Sequence, residues 1–556
     1  MTDVEPSDEQ RAAATSGLKN TVIVAPPGCG KTEVLALRAE HLIGMLERDQ
    51  RILALTFTNR ARANLRDRLR QVLGVKRMRR YVTVRNFHGH AAEVLRAHYR
   101  TIGLDLAEYK APTTRALSKA LREVTSDRDT YYDAEKLLGE VKRRPLSDEE
   151  VVAALAEADG RIGQRAALEV ERARQAYNAL HYDDLLRHAQ RLLRVPGVQR
   201  LYRRHYGAVL VDEFQDLSIQ QLDIVAKTCD SSRTFAGDPL QGIYTWAGAN
   251  PVEVERQLER VCPEPIRLTE SYRSSSRVLV IVNSIGTDLG AAELRSARPE
   301  EWPDSGFGAA VVFSDRGEEA AEIVGATKLL LERDPSLSIG VITRSKWRRD
   351  DIDALFATSG LPMRRWDLAV DDPRILQLVR DAMKQLPRGV GFEEARDGVL
   401  EVIDPADVDT IEQVEEVFDH LETTGLASPR AALNSLRSSG DPQQAISPGV
   451  HLLNAHTGKG QQFDWVFVVG LEERHIPDRR NMVGDLLTEE ERVLLVMLSR
   501  ARHGLVVTSI RTQDGPYGRY QPRRSPWFAP IAAASPCSWD SFGEHVDLAF
   551  PVQQSS

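Results

Sequence analysis

Residues 25–32, APPGCGKT, place small residues, a lysine and a threonine between an apolar run and an amphipathic stretch. Small residues let backbone N–H groups curl around phosphate oxygens, and a helix starting there adds its positive end. Lys31 would reach the β- and γ-phosphates and the Thr32 hydroxyl would bind Mg²⁺. Ala25 stands where the strict pattern has glycine; Pro26, Pro27, Gly28, Cys29 and Gly30 complete the loop. A second apolar run, VLVDEFQD at 209–216, ends in adjacent acids. Asp212 would hold Mg²⁺, directly or through water, and Glu213 would polarise an attacking water as general base. Alone, such a pair is an ordinary solvated turn. Beside a phosphate loop it points to nucleoside triphosphate hydrolysis.

Elements of an α/β chain must position these groups. NTVIVA (20–25) and RILALTFT (51–58) read as buried strands, each followed by a helical pattern. That βαβα order implies a parallel sheet with helices packed on it, which GAVLVDEF (207–214) and RTFAGD (233–238) would complete. Residues 91–195 are charged and helical in pattern, an inserted domain. A second α/β pattern begins near 271, with strands at AAVVFSD (309–315) and SIGVITRS (338–345). Residues 367–446 read as a smaller helical insertion. VHLLNAH and WVFVVGL then resume the second sheet, followed by a charged helix over 489–503 and the strand GLVVTSI (504–510). The last ~45 residues, rich in Pro, Ser and Arg, read as a loose tail.

Composition sets the outer bounds. Of 556 residues, 42% are hydrophobic and 28% charged, which suits several globular cores and excludes collagen-like or wholly disordered chains. Lys plus Arg is 73 against 81 for Asp plus Glu, a net charge of −8, so any nucleic acid would need a local basic channel. The four cysteines (29, 229, 262 and 537) form no CxxC pair, so neither a disulfide framework nor a cysteine metal site is expected. No run is long and apolar enough to span a bilayer and no leader opens the chain, so no membrane partner and a cytoplasmic location are expected.

A further set of segments carries a family resemblance. LTFTNRARANLRDRL (55–69), NFHGHAAEVLR (86–96), AGDPLQGIYTWAGA (236–249), LTESYRSS (268–275), LLNAHTGKGQQFDWVFVVGLEE (452–473) and EEERVLLVMLSRARHGLVVT (489–508) occur in that order around the two motifs above. Together they resemble the motifs of UvrD/Rep/PcrA-type superfamily 1 DNA helicases over nearly the whole chain. The resemblance implies two RecA-like P-loop domains with parallel sheets, each carrying a mainly helical insertion. The first would comprise 1–90 and 196–270 around the insertion 91–195. The second would comprise 271–366 and 447–535 around 367–446, with 536–556 as a tail.

It also implies roles. Gln10 would read adenine, Tyr272 would stack on it, and Gln462 would meet the ribose. Gln241 would sense the γ-phosphate, while Arg273 and Arg500 would act as arginine fingers, completing a catalytic set with Lys31, Asp212 and Glu213. Phe57, Tyr244 and Trp246 would stack on bases, each contributing ~1–3 kcal/mol. Thr56, Asn59, His88, His456 and Lys459 would be polar contacts to DNA. The sequence departs from the family at Pro6-Ser7 before Gln10, at Glu33 and Ala247 where arginine is usual, at Leu495 where tyrosine is usual, and at Gln462 where glutamate is usual. None removes a metal ligand, the base or an arginine finger, so an active ATPase using Mg²⁺ is expected.

The expected activity is ATP-driven 3′-to-5′ movement on single-stranded or tailed duplex DNA, with hydrolysis stimulated by the strand. Two alternatives stand beside it: a helicase-like subunit of a nuclease-containing repair or anti-phage complex, and an ATP-switched DNA-binding scaffold. The second insertion is short for the family, which suggests a reduced translocase or dependence on a nuclease or other regulatory partner.

Overall fold

The computed structural model describes residues 5–57, 59–105, 116–243, 251–365, 373–387, 389–403, 408–423, 427–435, 446–455, 459–515 and 518–551. Two six-stranded sheets organise it. The first contains β1 (Asn20–Val24), β2 (Arg51–Thr56), β3 (Val82–Asn86), β4 (Tyr206–Asp212), β5 (Ser232–Gly237) and β6 (Ile266–Arg267) in the order β3-β2-β4-β5-β1-β6. Every pairing is parallel. Parallel strands are covered on both faces, and all seven residues of β4 are buried.

A short parallel pair, β7 (Glu270–Ser271) and β8 (Arg295–Ser296), leads to the second sheet. That sheet contains β9 (Phe307–Phe313), β10 (Ser338–Thr343), β11 (Met363–Arg365), β12 (Gly449–Asn454), β13 (Phe463–Val469) and β14 (Ala501–Ile510) in the order β11-β12-β10-β13-β14-β9, again all parallel. The fold class expected from the sequence is the one observed. One apolar core runs from Ile23 and Leu210 in the first sheet to Val466 and Leu505 in the second, passing through Ile281 and Leu494.

Each sheet carries a helical addition with its own core. In the first, Leu121, Leu138, Val151 and Ala167 pack together. The helices Phe87–His98 and Tyr182–Arg194 do not join them: Leu95, Leu185 and Leu192 pack with Val209 and Val211 of β4. The separately packed unit is thus narrower than 91–195, because a 3.6-residue apolar period looks the same against a sheet as against helices. A buried ion network joins the two parts. Lys142 Nζ lies 2.8 Å from Glu171 and 3.0 Å from Asp184, and Arg187 Nη2 lies 2.7 Å from Asp184. The second addition centres on Val379, Ala395, Val414 and Phe418.

Three local expectations differ from the structure. The helix expected over 489–503 spans Gly484–Leu498, and β14 begins at Ala501, ahead of the expected 504. A strand not expected, β3, flanks β2; it follows the helix Asn59–Tyr81 directly, with no turn residue to mark where it begins. The tail is not loose. Helices Phe528–Ala534 and Phe542–Ala549 bury Phe528, Ile531, Phe542 and Val546. Five spaced apolar anchors, with Trp527, hold it against the second sheet despite the surrounding Pro, Ser and Arg. A β15 (Gln513–Gly515) and β16 (Gly518–Tyr520) hairpin precedes them. Among the described residues, no helix is long and apolar enough to cross a membrane.

Candidate functional site

The phosphate loop leaves β1 at the sheet's carboxyl edge, tied to β5 by Ala25 N donating to Gly237 O at 2.8 Å. Gly28 and Gly30 adopt φ of +86° and +81°, a region that side chains rarely enter. Gly30 caps the helix Lys31–Ile43 with no side-chain bond, so the first-turn N–H groups point toward the loop. A Cβ on Gly28 would stand 2.5 Å from Arg273 Cβ, so the segment opening the second domain closes directly on this loop. Tyr272 N completes the contact by donating to Gly28 O at 2.9 Å.

The acids meet the lysine at the end of β4. Lys31 Nζ lies 3.3 Å from Asp212 Oδ1 and is ion-paired with Glu213. Burial depresses the Lys31 ammonium, but the two carboxylates outweigh it and hold it above its ordinary value. Burial raises Asp212 against the pull of Lys31. At Glu213 burial is overcome by Lys31 and Lys459, and the carboxyl lies below its ordinary range. Glu213 has φ +57°, a costly conformation for a non-glycine residue, and one that aims its side chain into the site.

From Glu213 a line of hydrogen bonds crosses to the second sheet. Gln215 Nε2 donates to Glu213 Oε2 at 2.5 Å, and Asp238 N donates to Gln215 Oε1 at 3.0 Å. Gln241 Nε2 donates to Asp238 Oδ2 at 2.9 Å, and Arg500 Nη2 donates to Gln241 Oε1 at 3.1 Å. Arg500 is 1% exposed and also donates from Nε to Val496 O at 2.8 Å. Arg273 Nη1 donates to Ser499 O at 3.4 Å, so both arginines border the same residue. Burial lowers Arg273 to about 10. Ser274 and Ser275 pin this segment to β14 through the carbonyls of Ala501 and His503, at 2.7 and 3.0 Å. Gln215 and Asp238 had no assigned role from sequence, although both lie inside the quoted motifs.

Gln10 is buried, and both ends of its amide are anchored by one hydrogen bond each. Its Oε1 accepts from Ser7 N at 3.1 Å, and its Nε2 donates to Cys29 O at 3.0 Å. The Pro6-Ser7 departure is therefore a capping box, Ser-x-x-Gln, that opens the first helix. The neighbouring Glu9 was missed. It accepts from Thr269 N and Oγ1 at 2.7 and 2.6 Å, tying the same helix to the interdomain linker. Glu33 is ion-paired with Arg68, so that departure has a partner within the domain. Tyr272 is half-buried with the Arg298 guanidinium 5.7 Å from its ring centroid, and Gln462 is exposed.

The residues expected on the polymer side are partly gathered. Thr56 and Asn86 are register partners at the ends of β2 and β3, with Phe57 following directly. Asn86 Oδ1 caps the next helix by accepting from Gly89 N at 2.6 Å. His88 stacks on Tyr182 with centroids 4.0 Å apart, and burial lowers it to about 3, leaving a neutral ring. Lys459 lies at the seam between the sheets, its Nζ 2.7 and 2.8 Å from the two oxygens of Asp216. Tyr244, Trp246, His456 and the side chain of Asn59 lie outside the described residues.

Oxygen donors at Thr32 and the buried Asp212 suit a hard divalent ion such as Mg²⁺, which commonly uses one or two protein oxygens plus substrate phosphates. Among the described residues, no group of three or more His, Cys, Asp or Glu is arranged to cage a metal by itself.

Residues 6–260 match the family described as UvrD/REP helicase N-terminal domain, and residues 407–512 match the UvrD-like helicase C-terminal domain. The chain is 26% identical to the ATP-dependent DNA helicase UvrD1 of Mycobacterium tuberculosis, over 90% of this chain and 81% of that protein. It is 25% identical to DNA helicase II of Escherichia coli, over 91% of this chain and 84% of that protein. With the ATP-dependent DNA helicase Rep of Escherichia coli it shares 23% identity, over 94% and 93%.

Proposed function

Because this chain belongs to the UvrD/Rep-like superfamily 1 helicases, we propose that it is an ATP-dependent DNA helicase that moves 3′ to 5′ along single-stranded DNA, its hydrolysis stimulated by that strand. The observation that carries the reading is the hydrogen-bonded line from Glu213 through Gln215, Asp238 and Gln241 to Arg500. It gives the hydrolytic carboxylate a physical link to the opposite domain.

Lys31 and the backbone N–H groups of the loop would bind the β- and γ-phosphates, displacing Lys31 from the carboxylates it now pairs with. Thr32 and Asp212 would hold Mg²⁺, which supplies charge neutralisation at the phosphates. Glu213 would take a proton from the attacking water, and Gln215 holds its second oxygen still. Arg273 and Arg500 would stabilise the negative charge that spreads over the transferring phosphoryl oxygens. Gln10 would report adenine to the loop through Cys29 O, with Tyr272 stacked on the base and Gln462 at the ribose.

When the γ-phosphate leaves, the charge joining the two arginines to Lys31 is lost and the domains separate. Thr56, Phe57 and His88 on one domain, with Tyr244, Trp246, Asn59 and His456 from the adjoining segments, would grip the strand alternately. Contacts to backbone and base faces carry no sequence preference.

The test is ATP hydrolysis with and without oligo-dT. Stimulation by the strand, abolished in Glu213→Gln, is expected. Equal turnover with and without DNA would overturn the coupling.

The alignment with UvrD1 runs over 639 positions, more than the 556 residues of this chain, so that relative carries segments this chain lacks. This supports a reduced translocase, or a motor that depends on a partner for long duplexes. Processive unwinding of kilobase duplexes by the isolated monomer would overturn that dependence.

A further inference from the structure

On a chain of net charge −8, one stretch runs the other way: VKRMRRY, residues 75–81, carries four cations and no acid. It forms the last two turns of the helix Asn59–Tyr81, re-aimed at Gly74, whose φ of +74° breaks the helical path. At 100° per residue, Lys76, Arg77, Arg79 and Arg80 fall on the arc opposite Met78. Met78 is buried in the core, and the four cations are exposed.

Arg51 at the start of β2 fixes this end of the helix. Its guanidinium donates to Arg79 O and Val82 O at 3.0 Å each, to Thr83 Oγ1 at 3.1 Å and to Arg80 O. A cation thereby satisfies the last helical carbonyls and leaves the Arg79 and Arg80 side chains outward. Arg51 is also the register partner of Tyr206, so exposed Arg204 and His205 adjoin the same edge. Arg77 lies 3.2 Å from Glu40, whereas Lys76, Arg79, Arg80 and Arg204 hold no ion pair among the described residues.

This is the amino edge of the first sheet. The five residue steps of β2 from Arg51 to Thr56 separate it from the nucleotide-loop edge by about 17 Å at 3.3 Å per step. The basic edge and Thr56 thus lie at opposite ends of β2. The one aromatic ring in the stretch, Tyr81, is covered by Arg80, whose guanidinium lies 5.1 Å from its centroid, so no open face is offered to an unpaired base.

We propose that the amino edge of the first sheet is a second nucleic-acid site, one that holds the phosphate backbone of duplex DNA through Lys76, Arg79 and Arg80, independently of sequence. Helical placement gives several cations facing one way, which matches a regular line of phosphates. Arginine forks match phosphate oxygens, and the covered tyrosine favours backbone over base contact. The ligand class rests on the helicase reading; the site itself is separate from the motor's strand path.

The test compares wild type with Lys76→Gln/Arg79→Gln/Arg80→Gln, each checked for an unchanged thermal midpoint. Binding of a blunt 25-base-pair duplex and of oligo-dT is measured across a salt series. The triple variant is expected to bind the duplex roughly 10- to 100-fold more weakly at low salt, with a salt slope shallower by about 0.9 per contact removed. Affinity for oligo-dT and oligo-dT-stimulated hydrolysis are expected to be unchanged. An unchanged duplex affinity and slope overturn the proposal. So does poly-glutamate binding at the patch where the duplex does not bind, which would assign the edge to an acidic protein. Should wild type lack oligo-dT-stimulated hydrolysis, the helicase reading fails by a separate readout. If the triple variant is unstable, Lys76→Gln, Arg79→Gln and Arg80→Gln are measured singly; a weaker duplex affinity with a salt slope shallower by about 0.9 in each supports the site, and wild-type affinity and slope in all three contradict it.

Discussion

Lys459 Nζ sits 2.7 and 2.8 Å from the two oxygens of Asp216, one residue from each domain, with both side chains nearly buried. Burial raises Asp216 against the pull of this lysine. Removing one partner leaves the other charge buried alone, a loss of ~3–5 kcal/mol for such pairs. Lys459→Met is therefore expected to lower the thermal midpoint and reduce DNA-stimulated hydrolysis by roughly tenfold or more. Lys459→Met with Asp216→Asn should recover part of both. A double-mutant cycle showing additive losses would remove the pair from the coupling path.

Glu213 is held by Lys31 on one oxygen and Gln215 on the other. Glu213→Gln is expected to cut hydrolysis by ~10²–10⁴-fold while nucleotide still binds. Gln215→Ala should reduce turnover less, because it removes only the orienting bond. Nucleotide affinity from fluorescence titration separates the two effects. Wild-type turnover in Glu213→Gln would exclude it as the base.

Arg500 reaches the first domain through Gln241, its Nη2 donating to Oε1 at 3.1 Å. Arg500→Ala should lower turnover by ~10³–10⁵-fold and leave oligo-dT affinity near wild type. Arg500→Lys should recover little, since a lysine lacks the fork. A loss confined to DNA affinity would assign Arg500 to the strand.

Buried histidines set an acid limit on stability. Burial lowers His90, His451 and His503 to about 4 each. In the unfolded chain these rings titrate near ~6.5, so below that pH the unfolded state binds more protons. Their stabilisation is complete above pH ~6.5 and is lost as pH falls through about 4, by on the order of 3 kcal/mol per ring. The thermal midpoint should be flat above pH 7 and fall between 6.5 and 5. A flat midpoint across that window would mean the rings are not kept neutral by burial.

How much of this was legible from sequence follows from how local each cause is. The loop 25–32 was readable because phosphate geometry fixes its spacing within one turn, and the acids at 212 and 213 because they end an apolar run. Ser7 and Gln10 form a capping box, a four-residue pattern whose cause is local to the first helical turn. Gln215, Asp238 and the Asp216 partner of Lys459 were not readable as a linked path, since each bond joins segments brought together only by two folded sheets. The C-terminal helices escaped because they are only seven and eight residues long and lie among Pro, Ser and Arg, and only the packed structure shows that Phe528, Ile531, Phe542 and Val546 are buried.

The most direct test is ATP-dependent strand displacement on duplexes with a 3′ tail, a 5′ tail or no tail. The account predicts opening of the 3′-tailed substrate, little of the others, and none by Glu213→Gln. Equal opening of 5′-tailed duplexes, or displacement that persists without ATP, would contradict it.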